Sequence, residues 1–152
     1  MTGPQIDYAA VFQNLPIPVM LMTPDFVMAD VNQAYVEKAG RSREELVGQK
    51  VFDAFPDNPS DPGATGVSNL TASLQRVLDT GECDALDLQR YDVEVVGQPG
   101  QFTARYWCPV NAPVPGPDGD VALVAHCVEE VTDRLAKFVN GLSADAIYNR
   151  PG

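Results

Sequence analysis

The hydrophobic period changes about halfway along the chain, and this change restricts the fold more than any other feature. Across 84–95 apolar and polar residues alternate with one phase slip, which is typical of a strand. Turn residues at 97–100 and 115–119 separate this segment from two more extended ones, 102–114 and 121–131. We therefore expect three successive strands, and the apolar composition of the last predicts burial on both of its faces.

The first half of the chain carries helical patterns and one hairpin. The segments 19–22 and 26–29, joined by a Thr-Pro-Asp turn, predict two short strands. The Pro- and Gly-rich residues 56–66 predict a loop. Helices are predicted at 8–15, after the N-cap Asn32, from the Ser42/Glu45 capping box to Gly48, at 51–55, and along the stripe Val67, Leu70, Leu74, Val77 and Leu78 that ends at Gly81.

A last helical stripe follows the third strand, and the tail after it, 143–152, has no clear pattern. The element order is then a helix, two strands, several helices, three strands and a helix. This order predicts an α+β fold with a five-stranded antiparallel sheet, short helices on one of its faces and amphipathic helices at both ends. At 152 residues the chain fits one domain. The final stripe consists of Val131, Leu135, Phe138, Val139 and Leu142.

Five short stretches lie at the joints between these elements: 15–19 (LPIPV), 29–35 (ADVNQAY), 40–48 (GRSREELVG), 51–56 (VFDAFP) and 128–133 (VEEVTD). Together with the order of the elements, they resemble the PAS family over about residues 6–135. Glu130 stands where the closing signature of that family usually has Asp, so the resemblance does not by itself imply the ion pair made there in relatives. We expect a single PAS domain at 6–135, with 1–5 as an N-terminal tail and 136–152 as a helix end and tail.

Within the family, the 56–66 loop and the 106–111 segment (YWCPVN) resemble bacterial PAS domains found beside histidine kinases and serine/threonine phosphatases. The resemblance implies a sensory role in bacterial signal transduction, as in two-component systems, and a cavity between the concave sheet face and the short helices. A small apolar ligand could occupy the cavity, or the same side chains could simply fill the core. The candidate ligand-binding residues are Tyr35, Phe52, Phe55, Leu70, Leu74, Tyr91, Trp107 and His126.

Catalytic chemistry finds little support in the sequence. His126 is the only histidine, and its neighbour Cys127 points to the opposite face of the same strand, so the two cannot act as nucleophile and base. Phosphate-binding glycine loops and metal-ligand motifs are absent from the sequence. We expect no enzymatic activity. An enzyme would require a polar cleft around His126 with a carboxylate in hydrogen-bond reach.

The residues with which PAS relatives bind haem or flavin are not found at the corresponding places in this sequence. Haem is not expected, because His126 lies in a strand rather than in a helix or loop beside the sheet. Flavin is not expected, because no cysteine lies in a helix with the adduct motif of light-sensing relatives. A metal site at Asp53, Asp57 and Asp61 lacks the spacing of a calcium loop, so we expect no metal.

The charge and the cysteine content limit the partners and the location. A net charge of −11 opposes binding to nucleic acid or to an anionic membrane surface. No apolar run reaches membrane-spanning length, no secretory signal is present, and the three cysteines form no disulfide framework. We therefore expect a cytoplasmic domain. The resemblance to PAS domains implies a histidine kinase or phosphatase module as its output partner.

The N-terminal helix predicts a homodimer. Its stripe of Tyr8, Val11, Phe12 and Leu15 must be buried somewhere, and PAS relatives dimerise through such helices. The signal would then pass through the helices at both ends of the domain. The alternative is a ligand-free scaffold with a filled core that only dimerises or docks.

Turn chemistry predicts the register of the final hairpin. Pro117 favours a type I turn and Gly119 a left-handed residue, which together make a three-residue hairpin with a bulge. This register would place Cys108 opposite Val128 and Val110 opposite His126. The sulfurs of Cys108 and Cys127 would then lie on opposite faces, and we expect three free thiols.

Overall fold

The computed structural model describes the backbone of residues 3–148 and the side chains of residues 3–141. Its helices are α1 (Tyr8–Asn14), α2 (Gln33–Ala39), α3 (Arg43–Leu46), α4 (Val51–Ala54), α5 (Gly66–Thr80) and α6 (Thr132–Tyr148). Its strands are β1 (Val19–Met22), β2 (Met28–Val31), β3 (Asp84–Ala85), β4 (Gln89–Arg90), β5 (Val93–Glu94), β6 (Phe102–Thr103), β7 (Tyr106–Pro115) and β8 (Val121–Glu130).

The helix boundaries follow the capping residues of the sequence. Asn32 accepts a hydrogen bond from the Tyr35 amide at 3.0 Å and begins α2. Ser42 and Glu45 form both bonds of the predicted capping box of α3. Gly81 adopts the left-handed conformation that ends α5. These predictions are confirmed.

The main sheet is antiparallel, in the order β2-β1-β8-β7 followed by β3 and β4 at the far edge. The N-terminal hairpin therefore joins the sheet through β8, and the predicted α+β class is confirmed. One row of directly opposed residues crosses five of the six strands of this sheet, all except β4, and one side chain of each of these strands belongs to it. The five residues are Asp84, Asn111, His126, Met20 and Val31.

Two of the predicted strands differ from those observed. The second strand begins at Met28 rather than Phe26, because Phe26 has a φ of 63° and belongs to the turn. The expected strand at 84–95 is broken into β3, β4 and β5, since its phase slip would turn apolar residues to opposite faces. β5 leaves the main sheet and pairs with β6, so that 93–103 forms a separate hairpin, here called the arm.

The third long strand is buried on one face only. Val124, His126 and Val128 of β8 point inward and are buried, whereas the outward residues of β8 are partly exposed. The predicted burial on both faces is therefore wrong. Inside, nine apolar side chains with at most 2% exposure form the centre of the core between sheet and helices. They are Met20, Met22, Met28, Val31, Leu46, Val51, Leu74, Val77 and Val124.

The predicted register of the last hairpin is wrong by one residue. The turn itself is as expected, with Gly119 at φ 87° and its amide bonded to the Gly116 carbonyl at 3.0 Å. A second irregularity follows, where Ala122 is left between the pairs Val114–Leu123 and Pro115–Val121. Proline has no N–H to donate to the ladder, so an extra residue is tolerated at that point.

The register shift changes which side chains share a face. Cys108 lies opposite Glu129 and Val110 lies opposite Cys127. Cys108 and Cys127 both point to the outer face, contrary to the prediction that their sulfurs lie on opposite faces. Asn111, rather than Val110, faces His126 on the inner side.

The terminal helix α6 begins directly after β8 and continues to Tyr148, well into the segment without a clear pattern. Phe138 and Val139 of its predicted stripe are 64% and 52% exposed. The side chain of Leu142 and residues 149–152 lie outside the described part. Within residues 3–148, no helix has the length and apolarity to cross a membrane.

Candidate functional site

A cavity of about 530 Å³ lies between the inner face of the sheet and the helices. Met20 and His126 form part of its sheet wall, and Tyr35 and Leu70 line it from α2 and α5. The arm contributes a further wall that includes Val95. This volume is within the range of small-molecule sites in proteins, about 300–1,000 Å³.

Six of the eight candidate ligand-binding residues line the cavity, and two do not. Phe52 packs edge-on against Phe26, with ring centroids 6.1 Å apart, and does not line it. Leu74 is fully buried in the core one helical turn beyond Leu70. The six residues on the cavity wall are Tyr35, Phe55, Leu70, Tyr91, Trp107 and His126.

The aromatic side chains of the cavity are held by hydrogen bonds to the backbone. The Tyr91 hydroxyl donates to the carbonyl of Phe55. The indole nitrogen of Trp107 donates to the carbonyl of Tyr91 at 3.1 Å. The rings of Tyr35 and Phe55 meet edge-on at 6.1 Å. Because these bonds occupy the polar tips of Tyr91 and Trp107, both present mainly apolar ring surface.

The arm was missed by sequence reasoning, which assigned its residues to the main sheet. Val93, Val95, Val96 and Phe102 all line the cavity. The arm also touches α2 closely, because a Cβ on Gly40 would lie 2.7 Å from a methyl group of Val96. The phase slip before 91 was the available signal that this segment departs from the sheet.

His126 and Tyr35 bring the main uncharged polar groups to the cavity. The imidazole Nδ1 lies 2.6 Å from the Asn111 amide oxygen, and burial lowers the pKa of His126 to about 4. Burial also raises the pKa of Tyr35, whose hydroxyl has no hydrogen-bond partner within the described residues. Both groups are therefore neutral near pH 7. The hydrogen-bond partner of the His126 ring is an amide, so the carboxylate contact that a catalytic pair would require is absent from residues 3–141.

Charged residues also line the cavity, among them Lys38 and Arg41. Lys38 of α2 lies 3.7 Å from Glu130, and Arg105 lies at the same distance from it. Glu130, the residue that departs from the family signature, thus forms ion pairs with two cations. Arg41 lies over the Phe55 ring at 5.7 Å and donates to the Ala54 carbonyl at 2.9 Å.

The three aspartates considered for a metal site do not converge. Asp57 accepts from the Val67 amide at 3.1 Å at the start of α5. Asp61 accepts from the Gly63 amide at 2.9 Å within its own loop, and Asp53 lines the cavity. In the described part of the chain, no group of three potential ligands is arranged to hold a metal ion.

The architecture defines an α+β domain with a partly open cavity between an antiparallel sheet and short helices. A family model described as PAS fold matches residues 12–136. The chain belongs to the PAS family.

Solved structures agree with this assignment of the fold. A PAS domain from Colwellia psychrerythraea aligns with a TM-score of 0.64 at 13% identity, over 83% of this chain and 95% of that one. A PAS domain of a LuxR-family transcriptional regulator from Burkholderia thailandensis, solved in complex with ethanol, has a TM-score of 0.60 at 16% identity, over 84% and 99%. A sensory box sensor histidine kinase from Vibrio cholerae has 0.55 at 18% identity, over 82% and 89%. No curated protein sequence matches the chain.

Proposed function

We propose that this domain is a non-catalytic, cytoplasmic sensory input module of bacterial signal transduction that binds a small, mostly apolar molecule. The observation that carries this proposal is the cavity of about 530 Å³. A scaffold with a filled core would instead bury these side chains against one another. The structural neighbours support the proposal, since one is a sensor histidine kinase and another was solved with ethanol.

The route for the signal runs along β8. Val128 lines the cavity, and its amide donates to the Pro18 carbonyl at 3.0 Å, close to the end of α1. Three residues later, Val131 donates to the Tyr106 carbonyl at 2.8 Å, immediately before α6 begins. A ligand with different affinities for two arrangements of β8 would therefore shift both terminal helices.

The terminal helices supply the surface through which the output would act. Tyr8, Val11 and Leu15 of the N-terminal segment are 75%, 49% and 41% exposed, whereas Phe12 is half-buried. Exposed apolar side chains along one helix favour association with a second copy of the chain. We propose a homodimer that signals to a histidine kinase or phosphatase module, without nucleic acid or membrane contact.

Native mass spectrometry of domain purified without denaturation tests ligand binding. We expect a small non-covalent adduct in the wild type, and its loss in Leu70→Trp, where the larger side chain fills the cavity. Leu88→Trp is the control, because Leu88 is 45% exposed and does not line the cavity. If wild type and Leu70→Trp are both adduct-free, and ligand-observed NMR detects no binding of indole to the wild type, the ligand-free scaffold is correct.

A further inference from the structure

A chain of hydrogen bonds connects the surface of the domain to its cavity, and its two innermost bonds are buried. The Arg76 guanidinium donates to the Asp84 carboxylate at 3.0 and 2.8 Å. The Ser73 hydroxyl bonds to the same carboxylate at 2.6 Å, and the Asn111 amide nitrogen bonds to the Ser73 oxygen at 2.8 Å. The Asn111 amide oxygen lies 2.6 Å from His126 Nδ1. Ser73 and Asn111 are fully buried, so the Asn111–Ser73 and Asn111–His126 bonds have no competing solvent.

The direction of every bond in this chain follows from the charge on Asp84. The hydrogen bonds from Arg76 and Ser73 lower the pKa of Asp84, so its carboxylate is ionised and can only accept. Ser73 must therefore donate its one proton to Asp84 and accept from Asn111. Because the amide nitrogen of Asn111 is used in this way, its oxygen faces His126 and must accept the proton of Nδ1.

The second ring nitrogen of His126 is then an acceptor directed at the cavity. A neutral imidazole carries one proton, so a proton on Nδ1 leaves Nε2 with a free lone pair. No donor within the described residues bonds to Nε2, although His126 is only 6% exposed. In the same residues every fully buried side-chain polar atom has a partner. Nε2 must therefore reach open space, and His126 lines the cavity.

We propose that His126 Nε2 is a fixed hydrogen-bond acceptor that selects neutral, mostly apolar molecules carrying an O–H or N–H donor. This inference rests on the proposed function, because it assigns a ligand class to the same cavity. A molecule of similar shape without a donor would leave Nε2 buried and unpaired, which weakens its binding about tenfold. The unpaired Tyr35 hydroxyl provides a second contact that can either donate or accept.

The protonation state of the ring can be measured without any ligand. The chain has one histidine, so a long-range ¹H–¹⁵N NMR spectrum reports His126 alone. We expect the proton on Nδ1 and an unprotonated Nε2 near pH 7. A proton on Nε2 in the wild type would overturn the proposal.

A pair of serine variants tests whether Ser73 sets this state. Ser73→Ala removes the acceptor that orients Asn111. In this variant we expect the His126 tautomer with its proton on Nε2 to appear beside the Nδ1 form. Ser68→Ala is the control, because Ser68 lies on the same helix and bonds only to the nearby Thr65 carbonyl. If both variants keep the wild-type tautomer, the assigned role of the Asp84–Ser73–Asn111 chain is wrong.

Indole and benzofuran have the same shape and differ by one N–H donor, so they test ligand selection. By ligand-observed NMR we expect indole to bind the wild type about tenfold more tightly. The preference should vanish in His126→Leu. Equal binding of both probes to the wild type overturns the assigned ligand class but leaves the cavity as a binding site. Binding of neither probe, together with an adduct-free wild type, overturns the proposed function itself.

Discussion

The ring of Tyr91 lies directly against the Cα of Gly66. A Cβ on Gly66 would be 2.2 Å from Cδ2 of that ring and 2.6 Å from Cε2. The ring cannot easily move away, because the Tyr91 hydroxyl is bonded to the Phe55 carbonyl. The absence of a side chain at the first residue of α5 thus allows Tyr91 to form one wall of the cavity.

Gly66→Ala should therefore destabilise the domain by about 1–3 kcal/mol through overpacking. Thermal or urea denaturation measures the effect. Gly141→Ala is the matched control, since Gly141 is also helical but has no atom within 4 Å of an added Cβ. There the substitution should be neutral or stabilising by about 0.5–1 kcal/mol. A Gly66→Ala variant as stable as the wild type would show that Tyr91 is free to shift.

The buried imidazole makes stability depend on pH in a defined window. The pKa of His126 is lowered from 6.5 to about 4, so between these values the unfolded chain binds a proton that the folded chain does not. The contribution of the neutral imidazole to the free energy of unfolding should be fully present above pH 6.5. It should be lost as the pH falls towards 4, by on the order of 3 kcal/mol in total. Urea denaturation at several pH values measures this slope.

His126→Gln provides the comparison for the pH slope. The variant should be nearly independent of pH from 6.5 to 4.5, because it lacks the titrating group. The lowered pKa of Asp84 affects a different pH range. Its contribution to the free energy of unfolding is lost only as the pH falls below the ordinary Asp value of about 3.9. Parallel curves for wild type and variant would mean that His126 is protonated as easily in the folded chain as in the unfolded one.

Association through α1 can be tested with exposed positions only. Tyr8→Glu combined with Val11→Glu should convert a homodimer at micromolar concentration into a folded monomer, because two charges replace the apolar contact. Phe12 is left unchanged, since it is half-buried. Sedimentation velocity measures the change, and Leu88→Glu should remain dimeric. A wild type that is monomeric at all concentrations would exclude this interface.

The three cysteines should differ in reactivity and remain unpaired. Cys83 and Cys108 are exposed, whereas burial, and then the nearby Cys83, raises the pKa of the partly buried Cys127. A thiol reagent followed by mass spectrometry should modify Cys83 and Cys108 quickly and Cys127 slowly, because less of Cys127 is thiolate.

Cys108 and Cys127 are diagonal neighbours, with an expected Cα separation of about 7–8 Å, longer than most disulfides allow. A Cys108–Cys127 disulfide after mild oxidation would contradict this arrangement.

The signals that predicted the fold are local in the chain. Asn32 caps α2 through an amide three residues away, and the bonds between Ser42 and Glu45 span the same distance. Such contacts form within one helical turn, so neighbouring residues suffice to predict them. The resemblance to PAS domains then placed six of eight candidate side chains on the cavity wall.

The register of β7 and β8 was decided by the tertiary structure. One extra residue at Ala122 shifts every later pair, so Asn111 faces His126 and Cys108 shares a face with Cys127. The turn residues alone predicted a register that differs from the observed one by one residue, because they carry no information about a bulge outside the turn.

The sequence by itself therefore determined the capped ends of α2, α3 and α5, the α+β class and the family of this protein. The tertiary structure decided the departure of the arm from the sheet and the hydrogen bonds that orient His126. The physical reason is the range of the interactions. A cap depends on atoms within four residues, whereas the orientation of His126 depends on Asp84, Ser73 and Asn111, which come together only when α5, β3, β7 and β8 pack.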